Sequence, residues 1–332
     1  EIYLFLFRTH VKLGNRHKLS VGTEYIVDVL KSQTDNIAKE DAYTLALFAQ
    51  DEIKLLRNLQ ALIGVRYIYH ENFKNHATPN VALMYKPGKF NFRASYAAGF
   101  RTPTLSELYA TDIAKKNDRL TIGNLDLKPE KNNYFSLSAE YVHERFSVSV
   151  NAFYNNIRDM IDYNTIATGD KAMEQYGHKE VRQRDNIAEA KVHGINVSAN
   201  AYLGAGFNLS GGYTHLNTQD VELEQPIDKS IKNAYNINAQ WAHSWKIYRL
   251  NINLNGRINS KRFSKSYGYA PEYQLWDLNT RHSFNLKSVI IEPGFGMENL
   301  FDYMDDRPYN SNYATLTPGR SFYISLSLKF KS

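Results

Sequence analysis

The sequence predicts an all-β chain that crosses a membrane as a transmembrane antiparallel β-barrel. Three observations indicate this class: apolar and polar residues alternate with a period of two, the alternating segments are long, and short connections alternate with long ones. Segment 248–258 shows the alternation, because one face is apolar and the other is polar. The apolar face carries Tyr248, Leu250, Ile252, Leu254 and Ile258, and the polar face carries Arg249, Asn251, Asn253, Asn255 and Arg257.

The same alternation recurs in order along most of the chain. About fifteen such segments can be counted, most of them roughly 9 to 13 residues long. A tilted strand needs about this length to cross a bilayer, whereas an average strand of a soluble protein has about 5 to 6 residues. Clear examples, in chain order, are 19–29, 61–69, 135–141, 146–154, 195–203, 235–241, 248–258 and 322–330.

The connections between these segments alternate in length. Tight turns are predicted at 14–16, 87–89, 143–145, 204–206 and around 286–287. Longer polar segments separate them at 31–42, 70–79, 101–131, 158–185, 217–230, 259–271 and 302–317. Short turns at one end of a sheet and long loops at the other are typical of outer-membrane barrels. A soluble β-sandwich or propeller is the alternative, since its strands alternate too.

Composition narrows the classes of function. The net charge is +6 and no run of lysine or arginine exceeds two residues, so we expect no nucleic-acid partner. The lack of cysteine excludes a disulfide scaffold, a thiolate metal site and a cysteine nucleophile. The sequence also has no Gly-x-Ser-x-Gly, no His-Glu-x-x-His and no phosphate-binding glycine loop. We therefore expect neither an enzyme nor a cofactor.

The aromatic content has a physical reason in a membrane protein. No stretch of 18 apolar residues is present, so a transmembrane helix is not expected. Aromatic residues nevertheless make up 13% of the chain, with 24 tyrosines. Tyrosine combines an apolar ring with a polar tip and suits a membrane interface or an aromatic ligand site.

One predicted strand ends abruptly at Arg101 and Pro103. Proline lacks the N–H group that a ladder needs and restricts the residue before it, so strand pairing should stop here. Pro129 can act in the same way on the returning chain and places Glu130 at the rim. We expect Arg101 to pair with Glu107 or Glu130 and to fix the neck of the loop. The alternative is that these residues merely end strands.

Four stretches, taken together and in order, resemble a known family. They are "GFRTPTLSELY" at 99–109, "GNLDLKPEKNN" at 123–133, "RDNIAEAKVHGINVSANA" at 184–201 and the stretch 298–330. The chain is thereby similar to TonB-dependent outer-membrane receptors. The resemblance implies a barrel of roughly 22 strands with an N-terminal plug domain inside it. Residues 1–332 are then expected to be the C-terminal strands of that barrel, about 15 in number, with the plug and the first strands outside this sequence.

The resemblance also implies a function and a location. The expected function is binding and import of a scarce nutrient, with energy supplied through TonB. The first candidate for this nutrient is an iron chelate (a siderophore or haem). The expected location is the outer membrane of a Gram-negative cell, in contact with lipid and lipopolysaccharide. The expected partners are the TonB complex, reached through a region outside this sequence, and a small iron or corrinoid complex. We expect a monomer, with a surface lipoprotein as an optional partner. A cobalamin receptor, a passive porin and an adhesin or structural barrel remain the alternatives.

Ligand contacts are expected in the long loops. Tyrosine and arginine together suit a ferric siderophore, whose chelating groups are aromatic or anionic. The alternative is that these tyrosines belong to an aromatic girdle and that the basic residues meet lipopolysaccharide phosphates. The candidates are Arg101, Tyr109, Tyr163, Tyr176, His178, Arg182, Tyr267, Tyr269, Arg307 and Tyr309.

Haem would require an exposed histidine as an axial ligand. Residues 104–122, between the first two family stretches, contain no histidine, which argues against the haem receptors that carry one there. His70, His76 and His178 stay open for that role. We expect no metal site belonging to the protein itself.

Overall fold

A computed structural model of the chain describes residues 1–32, 37–115, 118–186, 189–264, 268–305 and 317–331. Fifteen long strands form one antiparallel sheet in which each strand pairs with the next long strand along the chain. The predicted antiparallel barrel wall of about fifteen strands is therefore confirmed. With strands numbered in chain order, the wall consists of β1 (Ile2–Leu13), β2 (His17–Ser32), β3 (Ile37–Leu56), β4 (Leu59–His70), β5 (Lys74–Tyr85), β6 (Phe90–Arg101), β9 (Glu130–Val142), β10 (Phe146–Arg158), β13 (Ala190–Gly204), β14 (Phe207–Asp220), β15 (Asn233–Trp245), β16 (Tyr248–Asn259), β19 (Tyr273–Asn285), β20 (Val289–Glu298) and β21 (Ser321–Phe330).

The remaining elements lie in three of the long connections. None of the helices within the described residues is long and apolar enough to cross a membrane. The first connection holds α1 (Leu105–Tyr109), β7 (Thr111–Ala114) and β8 (Arg119–Ile122), the second holds β11 (Ile161–Thr168), α2 (Gly169–Tyr176) and β12 (Glu180–Asn186), and the third holds β17 (Arg262–Ser264) and β18 (Gly268–Ala270).

The apolar face of the wall carries aromatic contacts near both ends of the strands. Near the long connections, the rings of Tyr25 and Tyr43 lie 6.0 Å apart, and Tyr43 lies 6.0 Å from Tyr69. Near the tight turns, the rings of Trp245 and Tyr248 stack 5.6 Å apart. Two aromatic bands flanking an apolar belt are the pattern of outer-membrane barrels, in which the apolar face meets lipid and the polar face lines the interior.

Seven tight connections lie at one end of the wall, as predicted. They occupy 14–16, 57–58, 86–89, 143–145, 205–206, 246–247 and 286–288. The turns at 57–58 and 246–247 were missed from sequence. In the second turn, Lys246 adopts a positive φ of 48°.

Two of the predicted long loops are wrong. The segment 31–42 was expected to be a loop, but β2 runs to Ser32 and β3 begins at Ile37. The segment 70–79 is reduced to a three-residue turn, since β4 ends at His70 and β5 begins at Lys74. Polar composition suggested loops in both places. The physical reason for the error is that strands continue beyond the apolar belt, where both of their faces are free to be polar.

Candidate functional site

The neck of the first long connection is a three-residue ion cluster at the rim of the wall. Strand β6 ends at Arg101 and β9 begins at Glu130, so pairing stops at Pro103 and resumes after Pro129, as predicted. The Nε atom of Arg101 donates to Glu130 Oε2 at 2.7 Å, and its Nη1 atom donates to Glu107 Oε2 at 2.9 Å. The predicted pairing is thus present, and it involves both acids. The hydrogen bond to Glu130 is the main reason that the pKa of Arg101 is raised.

Helix α1 begins with a capping box that sequence reasoning missed. Thr104 Oγ1 accepts a hydrogen bond from the Glu107 backbone N–H at 3.2 Å, and Glu107 Oε2 accepts one from the Thr104 N–H at 2.8 Å. The Thr-x-x-Glu spacing is the known signal for this motif. Burial alone would raise the pKa of Glu107, but the hydrogen bonds from Arg101 and Thr104 outweigh it and lower that pKa. Glu107 therefore stabilises both the start of α1 and the neck of the connection.

Beyond the neck, α1 packs on the returning chain through a small apolar cluster. Leu108, Leu127 and Ile161 are buried together, and Tyr109 packs against them. Gly123 is required at this point, because a Cβ atom there would lie 2.5 Å from the Leu108 carbonyl oxygen. The candidate Tyr109 is therefore partly occupied in packing, and a ligand contact by it stays a prediction.

Segments from the first and second long connections together form a four-stranded sheet with the order β11-β12-β8-β7, which we call the loop sheet. Its two halves meet where β8 and β12 pair in parallel. One face is covered by α2, where Ala167, Ala172 and Val181 are buried. The candidate Tyr176 packs against this cluster, so it supports the loop sheet.

Side chains also join the two connections. Asn186 Oδ1 accepts from the Lys128 N–H at 2.7 Å, and Asn186 Nδ2 donates to the Asp159 carbonyl at 2.6 Å. At the far end, His178 Nδ1 lies 2.9 Å from Asp118 Oδ1. The hydrogen bond from His178 is the main cause of a lowered pKa at Asp118. The candidate His178 thus joins the loops, and a ligand role for it stays a prediction.

The other face of the loop sheet brings three arginines and a tyrosine close together. The Arg184 guanidinium carbon lies 3.8 Å from the centre of the Tyr163 ring, and Arg182 Nε donates to Glu180 Oε1 at 2.5 Å. Arg119 lies across from Glu180 in the parallel pair, and its Nε atom is buried without a hydrogen-bond partner in the described structure. Two of the sequence candidates, Tyr163 and Arg182, therefore share one surface, which we call the arginine face.

Of the candidates not yet placed, the structure describes Tyr269. Tyr269 lies in the third connection, is 59% exposed, and contacts the ring of Phe263 at 5.3 Å. The candidates Tyr267, Arg307 and Tyr309 lie outside the described residues. Among the residues that the structure describes, no group of three histidine or acidic side chains is placed to hold a metal ion.

The chain matches a family model described as "TonB dependent receptor-like, beta-barrel" over residues 3–300. It is similar to a solved variant of the ferric enterobactin receptor of Pseudomonas aeruginosa, with a TM-score of 0.81 and 19% identity over 99% of this chain and 54% of that chain. The siderophore receptor PirA from Pseudomonas aeruginosa gives a TM-score of 0.77 and 18% identity over 100% of this chain and 57% of that one. The copper transporter OprC gives a TM-score of 0.74 and 12% identity over 99% of this chain and 56% of that chain. The chain thus spans about half the length of these proteins, and at these identities the likeness establishes the fold.

Proposed function

The chain belongs to the TonB-dependent receptor-like β-barrel family, and we propose that it forms part of the barrel wall of an outer-membrane receptor that binds an iron chelate and imports it. In this proposal all of residues 1–332 belong to the barrel, and the import step draws energy from the TonB complex. The receptor lies in the outer membrane of a Gram-negative cell, with the long connections on the outside and the tight turns on the periplasmic side.

The arginine face is the observation that supports an iron chelate as the cargo. Tyr163 and Arg184 offer an aromatic ring beside a cation. Arg119 adds positive charge on the same face, and Arg182 lies there in an ion pair with Glu180. Such a surface suits an anionic or aromatic chelating group, because arginine binds planar anions and stacks on rings. The solved neighbours described as ferric enterobactin and siderophore receptors support an iron chelate as the cargo.

Other cargoes fit this surface less well. A bare copper ion prefers sulfur and imidazole ligands, and the arginine face offers neither. Cobalamin and a passive porin role remain the rival proposals, and both are tested by the same experiments. A cobalamin receptor would take up corrinoids in place of iron chelates, and a porin would admit small solutes without energy.

The direct test is equilibrium binding of ferric enterobactin and other ferric chelates to cells that produce the full-length protein. With Arg182→Ala and Arg184→Ala combined, we expect the dissociation constant of the bound chelate to rise about tenfold or more, because charge-assisted contacts are lost. The fold should persist, since the partly exposed Arg182–Glu180 pair contributes little to stability.

The matched control is Arg145→Ala, which removes the same side chain from a tight turn at the other end of the wall. Its dissociation constant should equal that of the unaltered protein. If the double variant and the unaltered protein bound the chelate equally well, the arginine face would not be the binding site. If the protein bound a corrinoid and no iron chelate, the cargo would be a corrinoid and the proposed cargo would be wrong.

A further inference from the structure

The lipid-facing side of β9, β10 and β13 carries three cations close to the long connections. The strand register places Lys131 directly across from Arg158. Two residues nearer the middle of β10, Asn156 lies across from Lys191. Alternation assigns these side chains to the apolar face of the wall, because Tyr154, the next residue but one along β10, lies on that face. We call Lys131, Arg158 and Lys191 the basic rim.

The acids near the basic rim do not neutralise it. Its two facing cations are exposed, and neither forms an ion pair in the part of the chain that the structure describes. Lys191 lies 3.8 Å from Glu189, which is a loose pair. Glu130 is engaged on the polar face by Arg101, and Asp159 forms no ion pair among the described residues. Two cations are therefore free to meet an external anion.

Amides and then aromatic rings lie between the basic rim and the apolar belt. Asn133 lies across from Asn156, one step nearer the belt than the facing cations. In the next step, the rings of Tyr96 and Phe135 lie 4.9 Å apart, and the Tyr96 hydroxyl donates to Asn133 Oδ1 at 2.9 Å. Side-chain amides can both donate to and accept from the hydroxyl groups of a sugar. The order from the rim inwards is thus cation, amide, ring and aliphatic side chain.

An apolar groove continues from these rings along the lipid-facing side. Across four adjacent wall strands, the register alternates large and small side chains in the order Leu83, Ala94, Leu137 and Ala152. These residues and the rings above them border an open cavity of about 590 Å³. A second cavity of about 360 Å³ shares the same four residues and continues towards the tight turns. Arg93 also borders the second cavity, but it alternates with Phe92 and Ala94 and so belongs to the polar face. We call the two cavities the alanine groove.

We propose that the basic rim and the alanine groove together bind one phosphorylated glycolipid of the outer leaflet, lipopolysaccharide. Its phosphate groups pair with the exposed cations, its sugar hydroxyls bond to the amides, and its acyl chains pack on the alanines. Amides beside cations suit a phosphorylated sugar, and two neighbouring depressions suit a lipid with several chains. The inference rests on the proposed outer-membrane location, with the long connections outside, and it does not involve the imported cargo.

The test of the basic rim is native mass spectrometry of the purified full-length protein with added lipid A that carries two phosphates. In Lys131→Gln combined with Arg158→Gln, we expect the dissociation constant of lipid A to rise about tenfold or more, because two charge-assisted contacts are lost. Lipid A without phosphates should bind the unaltered protein more weakly by a similar factor. The matched control, Lys86→Gln combined with Lys89→Gln, removes two cations from a tight turn at the other end of the wall and should leave binding unchanged.

The alanine groove is tested by Ala152→Leu, which fills one depression and keeps the surface apolar. The dissociation constant of lipid A should rise about fivefold, because the acyl chains lose contact area. The control is Ala239→Leu, which makes the same change between Leu209 and Leu254, on strands that do not carry the basic rim. It should bind lipid A as the unaltered protein does.

Equal binding of lipid A by the unaltered protein and by the glutamine variant of the basic rim would overturn the proposed site. Equal binding of phosphorylated and dephosphorylated lipid A would do the same. If phosphatidylglycerol bound as tightly as lipid A, the site would take phospholipids and the proposed occupant would be wrong. Each of these results leaves the import function in place, whereas failure to bind any ferric chelate would defeat the import function and leave the lipid site standing.

Discussion

At the scale of single residues, Glu107 links the neck to the helix that follows it. Its carboxylate accepts from Arg101 and from the Thr104 N–H, and these bonds outweigh the effect of burial on its pKa. The Thr-x-x-Glu spacing and the neighbouring Arg-x-Pro were both readable in the sequence. The simultaneous contact of Arg101 with Glu107 and Glu130 was not, because it depends on where the returning strand starts.

The lowered pKa of Glu107 predicts the pH dependence of the neck. A carboxyl group with a folded pKa below its unfolded value of about 4.3 stabilises the fold above that value and loses this contribution as the pH falls. Amide hydrogen exchange in 104–109, corrected for the intrinsic rate, should be constant between about pH 7 and pH 5 and should rise below about pH 4.

In Glu107→Gln, exchange in 104–109 should already be faster at pH 7, and the acid-dependent increase should be smaller. Residues 248–258, in the middle of the wall, serve as the internal control. An acid-dependent increase of the same size in the unaltered protein and in Glu107→Gln would assign the effect to other carboxyl groups.

At the scale of elements, the long strands could be predicted because their signal is local. Alternation along 248–258 is visible within the segment itself, and five of the seven tight turns at one end of the wall were also predicted. The loop sheet could not be predicted, because β8 and β12 pair across about 60 residues and each has few residues and little alternation. Tyr163 and Arg182 were identified by residue type, and only the pairing of β11 with β12 places them on one face.

The loop sheet is expected to open and close as one unit, since Asn186 joins both connections. Asn186→Ala removes its bonds to Lys128 and Asp159, and amide exchange should accelerate about tenfold in both 118–128 and 159–186. Asn164→Ala is the control, because Asn164 contacts Asp185 within the second connection alone. Faster exchange confined to the second connection after Asn186→Ala would show that the two loops open independently.

At the scale of the whole molecule, the wall combines a lipid-facing apolar side with a polar face that carries both amide and charged side chains. The sequence predicted about fifteen strands, and four stretches in order indicated the family. It did not predict the row of amides across neighbouring strands, which depends on the register that aligns Asn253 with Gln240 and Asn279.

The most direct measurement of the central claim is uptake of radiolabelled iron chelates by a strain lacking this protein and by the same strain producing it at full length. Uptake is compared with and without an uncoupler that collapses the energy supply of the inner membrane. We predict that production of the protein restores accumulation of one class of ferric chelate and that the uncoupler abolishes this accumulation while surface binding remains. Accumulation that is insensitive to the uncoupler, or no accumulation of any ferric chelate, would contradict the account.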